Sequence, residues 1–133
     1  MGVGSAINIA LTGLDAASKR IEAASNNIAN ASSTARYVGG NYVNDPFKPQ
    51  EVVQESQTTG GTLASIQNIK SPSVPVYDPD SGIADAEGYV QYPNVSLEGQ
   101  AMDTILARNS YRSAISVIKS SDEMMKSLLD IES

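Results

Sequence analysis

The chain has 133 residues and a formal net charge of −6, with no cysteine, histidine or tryptophan. This length supports one domain with a modest core. The composition excludes disulfides, Cys/His zinc sites, and histidine- or cysteine-based catalysis. The acidic balance argues against a nucleic-acid backbone as partner. No apolar run approaches the ~18 residues of a membrane span, and no basic segment followed by an apolar one opens the chain, so neither a membrane-spanning protein nor a cleaved secretory precursor is expected.

The first element is a predicted helix over Ser5–Ala31 with Ser5 as its N-cap. Ile7, Leu14, Ile21 and Ile28 recur every seven residues, with Leu11, Ser18 and Ser25 at the alternate positions. Ala10, Ala17, Ala24 and Ala31 keep the same period beside them. A line of large residues next to a line of alanines lets a neighbouring helix approach closely. Asp15 and Lys19 are spaced as a supporting pair. Gly13 costs about 1 kcal/mol against alanine, so this helix needs a partner. Asn26, Asn27 and Asn30 mark its end and carry two readings. Either they satisfy backbone groups where the helix frays, or they form hydrogen bonds to neighbouring subunits.

From Ala35 to Gln100 the chain is punctuated by turn signals: Gly39-Gly40, Asn44-Asp45-Pro46, Gly60-Gly61, Asp78 to Gly82 and Pro93-Asn94. Extended segments are predicted at Tyr42-Val43, Pro49–Gln57, Thr62–Lys70, Val74–Tyr77 and Tyr89–Tyr92. The second and third form a hairpin about Gly60-Gly61. This small β module has little apolar mass, and its support is expected from the helices.

Ser96 to Glu132 is the second long helix, with Glu98 in its first turn. Tyr111, Ile115, Ile118, Asp122, Met125 and Leu129 recur at steps of four and three, and Ala114, Val117, Met124 and Leu128 widen that seam. Such a repeat favours supercoiling against another helix, and a rod of roughly 50 Å cannot fold its seam on itself. The N-terminal helix is the available partner. Lys119–Glu123, Asp122–Lys126 and Lys126–Asp130 are spaced as helix pairs.

The sequence offers no catalytic constellation. The acidic stretch Asp78 to Glu87 fails as an EF-hand: a calcium loop would need an oxygen ligand, a glycine and a glutamate where Gly82, Ile83 and Tyr89 stand. It reads as a solvated turn. Neither glycine pair belongs to a phosphate-binding motif, and Met124-Met125 reads as seam packing. No enzyme activity, cofactor, metal or small-molecule substrate is expected.

The block Ala24-Ser25-Asn26-Asn27-Ile28-Ala29-Asn30 resembles the signature near the N-terminus of flagellar rod, hook and axial proteins. Gly88 to Val95 (GYVQYPNV), Met102, Ala107 to Tyr111 (ARNSY) and Met124-Met125 are similar to a proximal rod member of that family, with Ala114 a departure where asparagine is expected. The resemblance covers nearly the whole chain. It implies export through the flagellar type III apparatus without a cleaved signal peptide, then polymerisation into the basal-body rod that crosses the periplasm and carries torque to the hook. It implies as partners copies of the chain itself, other proximal and distal rod proteins, the base of the membrane ring and the export apparatus.

The expected fold is mainly α with a small β region. Residues 1–34 and 96–133 form long helices paired as an antiparallel-type coiled coil, and 35–95 form an irregular β-hairpin module. The expected subunit interface comprises Ile7, Leu11, Leu14, Ile21, Ile28, Tyr111, Ile115, Ile118, Met125 and Leu129, with Asn26, Asn27, Asn30, Arg108 and Asn109 as polar contacts. A secreted helical binding or adhesin-like module is the alternative, since it would share long termini and a β-rich middle.

Overall fold

A computed structural model of the protein describes residues 2–132, so the outer limits of the two predicted helical regions, Met1 and Ser133, lie outside the described residues. The elements are α1 (Val3–Ala29), β1 (Arg36–Val38), β2 (Asn41–Asn44), β3 (Gln50–Ser56), β4 (Thr62–Asn68), β5 (Ser73–Tyr77), β6 (Tyr89–Pro93) and α2 (Leu97–Glu132). Two long helices with a small β region between them match the expected class.

The helix starts differ in kind. Ser96 caps α2: its Oγ accepts the Gly99 N–H at 3.1 Å, and Glu98 sits in the first turn. α1 begins at Val3, ahead of the predicted Ser5, with Gly2 at the N-cap and no side-chain bond there. Ser5 lies inside the first turn, its N–H donated to the Gly2 carbonyl at 3.0 Å. The other end closes at Ala29, where the Asn30 N–H reaches the Asn26 carbonyl at 3.1 Å.

The middle region contains three antiparallel hairpins, each a separate two-stranded sheet. β3 and β4 pair without a break from Gln50↔Asn68 to Ser56↔Thr62. Their turn uses Gly60 and Gly61 at φ +91° and +88°, a conformation that L side chains avoid. β5 and β6 pair from Ser73↔Pro93 to Tyr77↔Tyr89, so the acidic stretch is the connection of a hairpin. β1 and β2 close on Gly39-Gly40, with an irregularity between Arg36 and Tyr37. The β1–β2 and β5–β6 hairpins are joined where the Ala35 N–H donates to the Gln91 carbonyl at 3.3 Å and the Tyr42 hydroxyl to Asp85 Oδ2 at 3.2 Å.

A two-stranded hairpin is marginal alone, and α1 supports β3–β4. Thr12, Ala16, Lys19, Ala23 and Asn27 recur at steps of three and four, and this face meets the hairpin. Thr12 Oγ1 accepts the Thr62 N–H at 3.1 Å, and Lys19 Nζ donates to the Ala64 carbonyl at 2.8 Å while also pairing with Asp15. The turn glycines allow this approach, because a Cβ on Gly61 would lie 2.5 Å from Thr12 Oγ1.

A second face of α1 meets α2. Asn27 bonds to Gln100, Arg20 pairs with Asp103 at 3.0 Å, and Gly13 lies against the Ala114 methyl. Moving fourteen residues back along α1, from Asn27 to Gly13, advances the contact fourteen residues along α2, from Gln100 to Ala114. Val3 accordingly sits beside Ser120, Met124 and Leu128.

The core is built from small residues. Ala10, Ala16, Ala17, Ala23 and Ala24 of α1 are buried, as are Ala107 and Ser121 of α2; Ala64 and Val90 add to the interior from β4 and β6. Ala107, Ala114 and Ser121 are seven apart and form the inner line of α2. This corrects the expected seam: Ile115 and Ile118 are half-buried, whereas Tyr111, Asp122, Met125 and Leu129 are exposed. The face turned to α1 is rotated toward the alanines because short side chains allow the closest approach of two helices.

Candidate assembly surface

The fold joins its parts at one side chain. Asn27 lies where the two inward faces of α1 meet, and it is 1% exposed. Its Nδ2 donates to the Gln50 carbonyl at 2.8 Å and to Gln100 Oε1 at 3.0 Å, while its Oδ1 accepts the Gln50 N–H at 2.8 Å. An amide that both donates to and accepts from one residue's backbone acts as a short piece of neighbouring strand. It links α1, β3 and the first turns of α2. Asn27 therefore serves the interior of the chain, a role that corrects its expected place at a subunit boundary. Asn26 is exposed and contacts Gln50 Oε1 at 3.4 Å. Asn30 donates to the Asn26 carbonyl at 3.0 Å, the helix-end role set out as one of its two readings.

Around this small-residue interior the large apolar residues point outward. On α2, Met102, Ile105, Leu106, Val117, Met124, Leu128, Leu129 and Ile131 are each 45–81% exposed. Leu106, Val117, Met124 and Ile131 share one stripe with Ser110, Ser113 and Ser120, because their spacing follows the seven-residue repeat about a quarter-turn from the line facing α1. On α1, Leu11 and Ile28 are exposed, and Ile7, Leu14 and Ile21 are half-buried. The predicted large-residue line of α1 is thus the outer edge of the helix pair. Arg108 and Asn109 lie on the exposed side of α2, away from the Asn27 cluster. Large apolar side chains exposed in this number are typical of surfaces that contact other molecules.

The β module adds exposed Val38, Val43, Val74, Val76 and Tyr77. Tyr37–Tyr42 and Tyr77–Tyr89 form edge-to-face pairs at 5.1 and 5.4 Å. Asp85 organises the connection between β5 and β6: its Oδ1 accepts the N–H groups of Glu87 and Tyr89, and its Oδ2 accepts the Tyr42 hydroxyl. Partial desolvation, and after it the hydrogen bond and charge of Asp85, raise the Tyr42 pKa above its ordinary value. The acidic stretch read as a solvated turn contains this ordered joint, and the aspartate followed by Gly88 and Tyr89 was its visible signal.

Among the described residues no cluster of His, Cys, Asp or Glu could hold a metal, and no helix is long and apolar enough to cross a membrane.

Two long helices packed through alanines, with their large apolar residues turned outward, define a flagellar axial subunit once the sequence comparisons are added. Residues 7–37 match the family model "Flagella basal body rod protein", and residues 86–131 match "Flagellar basal body rod FlgEFG protein C-terminal". The chain is 38% identical to the flagellar basal-body rod protein FlgC of Borreliella burgdorferi, covering 98% of each chain. It is 35% identical to the protein of the same name from Salmonella typhimurium, with 93% of each covered, and 32% identical to that of Escherichia coli O157:H7 over the same share. The chain belongs to the flagellar basal-body rod protein FlgC family.

Proposed function

We propose that the chain is a structural, non-catalytic subunit of the proximal rod of the flagellar basal body. It polymerises into the tubular drive shaft that transmits torque from motor to hook. The observation that carries this reading is the inversion of side-chain size: alanines fill the interior, and Leu106, Val117, Met124 and Leu128 face outward. Each such residue gains about 1.5–3 kcal/mol when a neighbour buries it.

In this reading the helices of 1–34 and 96–133 form one antiparallel coiled-coil domain, supported by the stepwise contacts Asn27–Gln100 and Gly13–Ala114. The β region of 35–95 makes the outer contacts. Ile7, Leu11, Leu14, Ile21, Ile28, Tyr111, Ile115, Ile118, Met125 and Leu129 line the subunit interface, with Asn26, Asn30, Arg108 and Asn109 at its polar margin. The partners are other copies, the remaining rod proteins, the base of the membrane ring and the export apparatus. The rod spans the periplasm, and subunits reach it through the type III route. A contact that does not close on itself produces a helical tube rather than a dimer.

The test is complementation of a strain lacking this gene with Ile21→Asp or Ile118→Asp. Export should continue while rod assembly and swimming are lost. Normal swimming with either variant would contradict the interface.

A further inference from the structure

In the two longer hairpins, three of the four outer strand edges are engaged or blunted. The Ile69 N–H donates to the Pro49 carbonyl at 3.0 Å and the Gln57 N–H to the Gly61 carbonyl at 3.1 Å, which fixes the alternation of the β3–β4 ladder. The main-chain groups of Gln50, Val52 and Gln54 therefore point away from β4. On β4, Thr12 and Lys19 engage the outer groups of Thr62 and Ala64. On β5, the outward position Pro75 has no N–H to offer. On β6, Ala35 and Asp85 bond to the outer groups of Gln91 and Tyr89. The edge of β3 is different. Asn27 satisfies both groups of Gln50, but the N–H and carbonyl of Val52 and Gln54 have no partner among the described residues.

This open edge borders a groove of about 650 Å³, which α1 lines with Arg20 and Ala23 and α2 with Gln100 and Asp103. Asn27 also lines it, already mimicking one residue of an added strand.

We propose that the groove takes an extended strand by main-chain pairing to Val52 and Gln54, and that this strand is β2 of a second copy. Pairing of β3 with β3 of a second copy would set Glu51 against Glu55, and like charges directly opposite are unfavourable. That pairing would also close into a dimer. β2 has neither fault. It is uncharged, exposed at all four positions, and its main chain makes no hydrogen bond outside its own hairpin among the described residues. Beside it, Arg36 is exposed, as are Glu51 and Glu55 on β3. None of the three enters the ion pairs among the described residues, so the two surfaces are complementary in charge. The occupant comes from another molecule, because the β1–β2 hairpin of the same chain is held to β5–β6 through Ala35–Gln91 and Tyr42–Asp85. A contact between unlike strands is head-to-tail and propagates. The inference rests on the rod-subunit reading and names one contact within it.

A proline at the open edge tests this. Gln54→Pro removes an outward N–H that bonds to nothing within the chain, so its monomer melt should stay close to wild type. Its self-association in sedimentation should weaken about tenfold, whereas Gln54→Ala, which keeps the N–H, should associate like wild type. Because the chain has no cysteine, Val43→Cys in the full-length protein can carry a single benzophenone label. Mixed with isotopically heavy full-length chain and irradiated, it should link to residues lining the groove of the heavy copy. The label decides the contact even where the proline variant fails to fold. Wild-type association by folded Gln54→Pro, or links only elsewhere on the heavy copy, would overturn this contact and leave the rod reading standing. A link formed only with another axial protein would also overturn the proposal. Absence of any assembly, alone or with other axial proteins, would count against both readings.

Discussion

Asn27 Nδ2 lies 3.0 Å from Gln100 Oε1 and 2.8 Å from the Gln50 carbonyl, so one buried amide holds the two helices and the β3–β4 hairpin together. Around this joint the buried apolar side chains are mostly alanines, and the larger apolar groups remain at the rim.

Asn27→Ala should destabilise the monomer by about 2–4 kcal/mol, since both backbone groups of Gln50 lose their partner in a buried setting. Asn26→Ala, which loses one exposed 3.4 Å contact, should change stability by less than about 0.5 kcal/mol. Urea unfolding followed by circular dichroism separates the two. Equal midpoints would refute the joint.

The glycines of α1 and of the hairpin should respond in opposite directions. Gly61→Ala places a methyl 2.5 Å from Thr12 Oγ1 at a positive φ and should cost about 1–3 kcal/mol. At Gly13 an added Cβ meets Ala114 at 3.9 Å, an ordinary contact, so Gly13→Ala should stabilise by up to about 1 kcal/mol. Thermal melts of the two variants give the signs directly.

Size changes should separate folding from assembly. Ala17→Leu or Ala107→Leu overpacks the helix interface and should lower monomer stability by about 1–3 kcal/mol. Val117→Ser with Met124→Ser should leave the monomer melt within about 0.5 kcal/mol of wild type and abolish large assemblies in sedimentation. Normal assembly of that double variant would remove the outer stripe of α2 from the interface.

Within the acidic connection, Asp85 and Asp80 should differ. Asp85→Ala removes the acceptor for Glu87, Tyr89 and Tyr42 and should release the β5–β6 connection, seen as faster amide exchange at Tyr89. Asp80→Ala should have little effect on exchange or on motility. Because the Tyr42 pKa is raised on folding, its stabilising contribution is complete below the ordinary tyrosine value of 10.0 and is lost as pH rises through the folded value. Tyr42→Phe should remove that alkaline component from pH-dependent melts, and the late-titrating tyrosinate absorbance of Tyr42 should be missing from the variant.

Much of this architecture was visible in the sequence. The Gly60-Gly61 hairpin, the start of the second helix at Ser96, the Asp15–Lys19 pair and three further strands follow local rules that turn chemistry and spacing express directly. The inward face of each helix does not. In α1 the large line Ile7, Leu14, Ile21, Ile28 and the small line Ala10, Ala17, Ala24 share the same seven-residue period, so periodicity cannot say which one meets α2. Size decides: the alanine line gives the closer approach, and the isoleucines are left at the rim. On α2 the same choice turns Ala107, Ala114 and Ser121 inward, which a search for large apolar residues passes over. Asn27 was noticed as one of three asparagines, but its position at the crossing of two contact faces depends on the hairpin returning to α1. β1 is three residues long and carries no alternation to read.

The most direct measurement is hydrogen exchange across α2 in the free monomer and in the assembled state. The account predicts that amides from Met125 to Ile131 exchange fast in the monomer, where α1 covers little of that end, and become protected on assembly. Protection of that segment to the same degree in both states would contradict the claim that the outward apolar surface of α2 is completed by neighbouring subunits.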